Sequence, residues 1–399
     1  MISVEEAQRR ILAALQATNA ETVPLAQAAG RVLAADIAAR VTQPPAAVSA
    51  MDGYAVHGAD VHTAPVTLRR AGEAAAGGSY DQVVQRGETV RIFTGGTLPA
   101  GTDTVVLQEN VQVEDDRVVI QHMTFKGRHV RERGLDFRAG DVLLKAGQRL
   151  GPRHVGLAAA MNVPDVSAHR RPRVAILSTG NELVQAGGRV GPNRIVDANG
   201  PAMAALVAAG GAEAVDLGIV RDDIGELERA ADRARGADLL ITLGGASVGE
   251  HDLIQQALGR RGLAVDFWKV AIRPGKPLMF GKLGAMPVLG LPGNPVSAFV
   301  CALVFVRPAI AALQGATLAI EPPLAATLGR DLDANDQRQD YLRSTVERRA
   351  DGTLLATPFT HQDSSMLRLL GEAGGLVVRP PHAPAARAGD VVAVHLLAV

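Results

Sequence analysis

From Arg173 onward the chain repeats an arrangement that few folds can satisfy. Short apolar runs, RVAILST, AVDLGIV, DLLITLGG and PVLGLPG, alternate with longer stretches of helical character, GPAMAALVAAGG, DDIGELERAADRARG, EHDLIQQALGRRG and NPVSAFVCALVFVRPAIAAL. A strand buried on both faces reads as a continuous apolar run, and a parallel strand needs a crossover of about a dozen residues to return. The alternation therefore predicts a doubly wound parallel sheet covered by helices over residues 172–318. In such sheets ligands bind beyond the carboxyl ends of the strands.

The remainder follows other patterns, and 399 residues exceed what one core ordinarily serves. Ile11, Leu12, Leu15, Val32 and Leu33 recur at helical spacing, so the first forty or so residues read as helix until Pro44-Pro45 breaks the pattern. VTLRR, TVRIF, DTVVLQENVQVE and DRVVIQ then alternate with Gly, Pro and Asp turns. They predict a β domain over 46–139, inserted into a mixed helical domain formed by 1–45 and 140–171. YLRSTVE, GLVVRP and DVVAVHLLA predict a separate C-terminal β domain over 319–399.

Composition removes several classes of function. Charge is balanced, 41 basic against 41 acidic residues, and one Trp, three Tyr and eight Phe leave little for base stacking, which argues against a nucleic-acid binder. The single cysteine, Cys301, lies inside VSAFVCALVFV and reads as a buried small hydrophobe. One thiol makes neither a disulfide nor a zinc cluster, which suits a reducing compartment. The N-terminus MISVEEAQRRILAAL carries acids and lacks the apolar core of a signal peptide. The longest apolar run, between Pro295 and Arg307, falls short of the roughly twenty residues of a membrane span. A soluble, cytoplasmic protein is expected.

Three strand ends of the α/β segment finish in loops rich in glycine or hydroxyl groups, each placed ahead of a helix. They are Ser178-Thr-Gly-Asn-Glu182, Thr242-Leu-Gly-Gly-Ala-Ser-Val-Gly249 and Leu291-Pro-Gly-Asn-Pro-Val-Ser297. Glycine lets backbone approach a ligand closely, and a helix N-terminus presents free N–H groups. One such loop can be a plain turn; three along one sheet edge point to an anionic ligand. Neither a P-loop nor a dinucleotide fingerprint is present. Acids crowd the same edge: Glu182, Asp222, Asp223, Glu250 and Asp252. Carboxylates beside an anion need a cation between them, and Mg²⁺ is the usual bridge to phosphate. Glu182 and Asp252 read as its ligands, Asp223 and Glu250 as carboxylates at helix N-termini. In Ala271-Ile-Arg-Pro-Gly-Lys-Pro277 the prolines stiffen a turn carrying Arg273 and Lys276, which read as oxyanion ligands.

These loops stand in one order with further motifs: Ser49-Ala-Met-Asp-Gly-Tyr-Ala55, Ile92-Phe-Thr-Gly95, Ser178-Thr-Gly-Asn-Glu-Leu183, Gly244-Gly-Ala-Ser-Val-Gly249, Arg273-Pro-Gly-Lys-Pro277 and Leu291-Pro-Gly-Asn-Pro295. Together they resemble the molybdopterin molybdenumtransferase family, MoeA and the gephyrin E-domain, over nearly the whole chain and least in the C-terminal segment. The resemblance implies an enzyme that takes adenylylated molybdopterin and molybdate, inserts molybdenum into the dithiolene and releases AMP with Mg²⁺. It also implies a molybdopterin-binding type of α/β domain and a homodimer whose clefts are shared between subunits. The adenylyltransferase that makes the substrate and the acceptor molybdoenzymes are further partners it suggests.

Carried over by position, the resemblance gives catalytic roles to Asp52, Thr94, Glu182, Asp222 and Lys276. Substrate contacts fall to Thr179, Gly180, Gly244, Gly245, Ser247, Gly249, Arg273, Pro292, Gly293, Asn294, Ser297, Arg343 and Ser364. Glu182 and Asp252 become the metal ligands. Three departures bear on this. Arg273 stands where Lys is common, Gln362-Asp-Ser364 replaces Gln-Gly-Ser, and Gly-Gly-Ala-Ser replaces Gly-Gly-Val-Ser. Asp136, in GLDFRAGD, lacks the Glu that usually precedes it. None of the ten histidines lies in a matched motif, so metal activation of water is preferred to a histidine base. Two rivals are weighed: the adenylyltransferase, which shares the α/β domain but not SAMDGYA, and a non-catalytic scaffold, which does not need Asp52, Glu182, Asp252 and Lys276 together.

Overall fold

The computed structural model describes residues 1–75, 77–244, 253–317 and 319–397. Its α/β sheet has six strands in the order Glu213–Val220, Arg173–Thr179, Leu239–Leu243, Met286–Leu291, Pro277–Leu283 and Leu263–Lys269. The first four, the apolar runs of the sequence, are parallel. The last two are antiparallel and extend the sheet beyond the expected parallel core. They escape the apolar-run criterion for physical reasons. Pro277–Leu283 turns back through a tight hairpin at Gly284, where φ is 63°, and Leu263–Lys269 keeps most of its side chains at least partly exposed.

One face of the sheet carries the helices Asn199–Ala209 and Pro295–Cys301, the latter continuing without a break to Leu313. The other face carries Ile224–Arg233 and Leu253–Arg260. The stretch Pro295–Leu313 is 19 residues long and apolar enough to cross a membrane, yet most of it is buried inside the protein, so it is a core helix. It outlasts the apolar run because a π-helical turn, Ala302–Val306, precedes Pro308 and accommodates the missing proline N–H. Cys301 is fully buried, and burial pushes its thiol well above the ordinary range.

The helical expectation for the first forty residues holds only for Val4–Ala13. That helix is capped by the Ser3 hydroxyl, which accepts from the Glu6 N–H at 3.1 Å. Its Val4, Ala7 and Ile11 pack into the α/β core. Beyond it, Thr22-Val23-Pro24 favours extended chain, and Ala20–Pro24 pairs with Asp165–His169. Val32 and Leu33 bridge to Arg149 and Ala168 instead of continuing a helix. Val23, Leu33, Ile37, Leu144, Met161 and Val166 share one core drawn from both sides of the inserted segment.

The inserted segment forms a six-stranded sheet in the order Thr104–Leu107, Gly53–Val56, Glu88–Ile92, Val66–Ala74, Arg117–Ile120 and Val111–Glu114. The C-terminal segment closes a barrel from Gln339–Arg348, Leu354–Pro358, Leu324–Leu328, Val391–Leu396 and Gly375–Arg379, the last pairing back to the first. Ile272–Arg273 joins the barrel as a parallel partner of Gln339–Asp340. This pairing ties the α/β domain to the barrel beside the proposed oxyanion turn.

Candidate active site

The first and third loops, and the described start of the second, converge at the carboxyl edge of the parallel strands. Thr179 Oγ1 donates to the Leu243 carbonyl at 3.4 Å, and the Gly244 N–H donates to the Leu291 carbonyl at 3.2 Å. Gly244 has φ +94°, and a Cβ there would lie 2.8 Å from the Thr179 carbonyl oxygen, so only glycine lets these strand ends close together. A Cβ on Gly293 would lie 3.6 Å from the Gly244 Cα. Thr179, Gly180, Gly244 and Pro292 are buried, while Gly293 and Asn294 face solvent. Gly245, Ser247, Gly249 and Asp252 lie outside the described residues.

The first loop departs from its expected form. After Gly180 the chain makes a short strand, Leu183–Val184, paired with Ile195–Val196, and the helix begins only at Asn199. Glu182 is therefore not a carboxylate at a helix N-terminus. It is exposed, and a Cβ on Gly180 would meet its carboxylate at 2.7 Å. Asp222 approaches the same loop, its carboxylate accepting the Asn181 N–H at 3.2 Å. Asp223 caps the helix Ile224–Arg233, accepting from the Glu226 N–H at 2.9 Å, as its position suggested. Sequence reasoning missed Asp197, which is buried and accepts the Asn199 and Gly200 N–H groups at 3.0 Å each. Asn199 in turn donates to the Gly293 carbonyl at 2.7 Å and joins the first loop to the third. An acid shortly ahead of Asn-Gly-Pro was the signal available for this cap.

The third loop is held by the barrel. Asn294 Nδ2 donates to Ser364 Oγ at 2.9 Å, and the Val296 N–H donates to the Ser364 carbonyl at 3.1 Å. Ser364 thus occupies a free donor of the first helical turn, and Ser297 is buried one residue further on. Arg343 holds the Ser364 loop. It is 1% exposed and donates to the carbonyls of Met366 and Asp363 at 2.9 Å each. Its guanidinium is buried among the carbonyls of that loop and supports it.

Arg273 is likewise engaged by the barrel. Its Nε donates to Asp340 at 2.7 Å and its Nη2 donates to the other oxygen of that carboxylate. Nη1 and Nη2 further reach Asp336 at 3.1 Å and Asn335 at 2.9 Å. A fork so engaged tethers the turn to the barrel. Lys276 remains exposed on the same turn. Gly275 seats that turn on the helix: its φ is +117°, and a Cβ there would stand 2.3 Å from Cys301 Sγ.

In the inserted domain, the two expected residues meet. Asp52 Oδ1 accepts the Thr94 N–H at 2.7 Å and the Thr94 hydroxyl at 2.8 Å. These bonds, the N–H first, hold the Asp52 carboxyl below its ordinary range, and the nearby Arg91 adds to the effect. Arg91 itself lies 5.1 Å from the ring centres of both Tyr54 and Phe93. A carboxyl with a lowered folded-state pKa contributes stability above its unfolded pKa, lost as pH falls through the folded one. Thr94→Val keeps the N–H and removes the hydroxyl. The acid limb of the pH–rate profile is therefore expected to move to higher pH; an unmoved limb would separate Asp52 ionisation from turnover.

An α/β domain, an inserted β domain in which Thr94 fixes the Asp52 carboxylate, and a barrel docked on the Leu291–Ser297 loop define a multidomain α/β plus β protein. Three family models match in succession: the MoeA N-terminal region (domain I and II) over residues 2–162, a probable molybdopterin binding domain over 175–312, and the MoeA C-terminal region (domain IV) over 325–397. The molybdopterin molybdenumtransferase of Haemophilus influenzae is 35% identical over the full length of both chains. That of Nostoc is 39% identical over 81% of this chain and 76% of its own. A solved molybdopterin biosynthesis MoeA protein from Pyrococcus horikoshii OT3 superposes with TM-score 0.88 at 26% identity, covering 99% of this chain and 100% of that one. The chain belongs to the MoeA family.

Proposed function

We infer that the chain is a molybdopterin molybdenumtransferase, which inserts molybdate into adenylylated molybdopterin and releases AMP. The observation that carries this reading is the convergence of Thr179, Gly244 and Gly293 at the strand edge, within a chain that its relatives match end to end. Such backbone suits the close approach of a phosphate-bearing ligand. Lys276 supplies a cation for the molybdate dianion, and Ser297 lies on the helix against which its turn packs. Asp52, fixed by Thr94, supplies an ionised carboxylate from the inserted domain. Relatives carry the name molybdopterin molybdenumtransferase, and the reading of this chain rests on that family as well as on its own loops.

The donor set also suits Mg²⁺. This ion binds through one or two carboxylates together with substrate phosphates. Glu182 and Asp222 offer hard carboxylate oxygen on neighbouring loops. We assign the metal to Glu182 and Asp252, shared with the substrate, where it would offset phosphate charge. A homodimer with clefts shared between subunits completes the proposal, fed by the adenylyltransferase and emptied by acceptor molybdoenzymes in the cytoplasm.

The test is AMP release from adenylylated molybdopterin with Mg²⁺, with and without molybdate. Release that depends on molybdate supports the assignment. Consumption of ATP with free molybdopterin would indicate the adenylyltransferase instead, and no turnover in either assay would favour a scaffold.

A further inference from the structure

We propose that Asp340, in the barrel strand Gln339–Arg348, is a positioning residue that sets the Arg273–Pro277 turn and through it places Lys276 for the oxyanion. The proposal rests on the reading of Lys276 as the cation that binds molybdate. Three attachments fix the turn. At its start Ile272–Arg273 pairs with Gln339–Asp340, and the Gln339 N–H donates to the Ala271 carbonyl at 2.9 Å. The Arg273 guanidinium binds both oxygens of Asp340, a residue only 5% exposed. At its middle, Gly275 lies against Cys301, too close to admit a Cβ. At its end, the Lys276 carbonyl accepts the Val270 N–H at 3.2 Å.

Lys276 is therefore exposed on a turn whose neighbours are all held. The planar fork of arginine matches a carboxylate at two points, which a lysine here could not do, so the Arg273–Asp340 pair fixes direction as well as distance. Removing the Asp340 charge leaves Arg273 without its buried counter-ion and frees the start of the turn. Binding groups displaced by about an ångström lose much of their effect. The loss falls on the use of molybdate, because Asp340 acts through a residue that binds it. Arg343, three residues further along the same strand, holds the Ser364 loop on the adjacent helix, so one barrel strand supports both walls of this side of the site.

The experiment compares wild type, Asp340→Asn, Asp340→Glu, Lys276→Ala and the Asp340→Asn/Lys276→Ala double variant, using the full-length protein. Asp340→Asn is expected to raise the half-saturating molybdate concentration about tenfold with kcat changed less than about threefold, the pattern of a lost binding contact. Asp340→Glu, which keeps the charge, restores part of the loss. In the Lys276→Ala background Asp340→Asn adds little, because the two act in series. Multiplying effects, or an unchanged molybdate requirement in Asp340→Asn, would overturn the proposal. Thermal unfolding of each variant separates positioning from loss of fold. A second readout is the rate at which acetic anhydride modifies Lys276, followed by peptide mass spectrometry. It needs no turnover: if wild type proves not to use molybdate, the functional reading fails, while a changed Lys276 rate in Asp340→Asn still supports positioning and an unchanged rate overturns it.

Discussion

A chain carrying Asp52→Ala and a chain carrying Glu182→Ala are each expected to be nearly inactive, yet a heterodimer of the two is expected to recover up to half the wild-type rate. Loss of a group acting in the transition state commonly costs about a hundredfold or more, so either homodimer should retain only a trace of AMP release. Asp52 lies in the inserted β domain, fixed by Thr94, and Glu182 lies on the loop after Arg173–Thr179. If one subunit's β domain completes the other's α/β cleft, the mixed dimer holds one cleft with both lesions and one with neither. The second cleft is fully wild type. If each cleft were built within one subunit, every cleft would keep a lesion and no activity would return. Co-expression with two affinity tags, purification through both and an AMP assay make the comparison, and a verified heterodimer without recovery would refute the shared cleft.

The second large effect is expected at Lys276. Lys276→Ala should raise the molybdate concentration needed for turnover by roughly ten- to a hundredfold, the scale of a lost charge-assisted contact worth about 1.5–3 kcal/mol. The side chain is exposed, so the fold should survive its truncation. Affinity for adenylylated molybdopterin should fall much less. Equal losses for both ligands would move Lys276 from the oxyanion to the pterin phosphate. Arg273→Ala should behave differently, lowering stability together with molybdate use, because its guanidinium binds Asp340, Asp336 and Asn335.

Those two basic residues illustrate how far the sequence could be read. Both lie in one proline-framed turn, and sequence alone treats them alike. Only the barrel, which brings Asp340 to Arg273 across 67 positions of chain, tells them apart. The four parallel strands were legible because burial on both faces leaves an unbroken apolar run. The edge strand Leu263–Lys269 was not, since its exposed positions dilute that signal. Val32 and Leu33 misled for a related reason: two adjacent apolar residues fit a helix or a bridged extended chain, and distant partners decided between them. Asp52 and Thr94 could be nominated from their motifs, but their hydrogen bond spans 42 positions and belongs to the sheet, not to either motif.

These loops are proposed to hold adenylylated molybdopterin while molybdenum enters it. Mass spectrometry of the pterin recovered after incubation with adenylylated molybdopterin, Mg²⁺ and molybdate tests this most directly. The expected result is loss of the adenylyl group together with gain of molybdenum on the pterin, in a product absent when molybdate is withheld. Recovery of the adenylylated pterin unchanged, or of pterin that has lost AMP without gaining metal in the presence of molybdate, would contradict it.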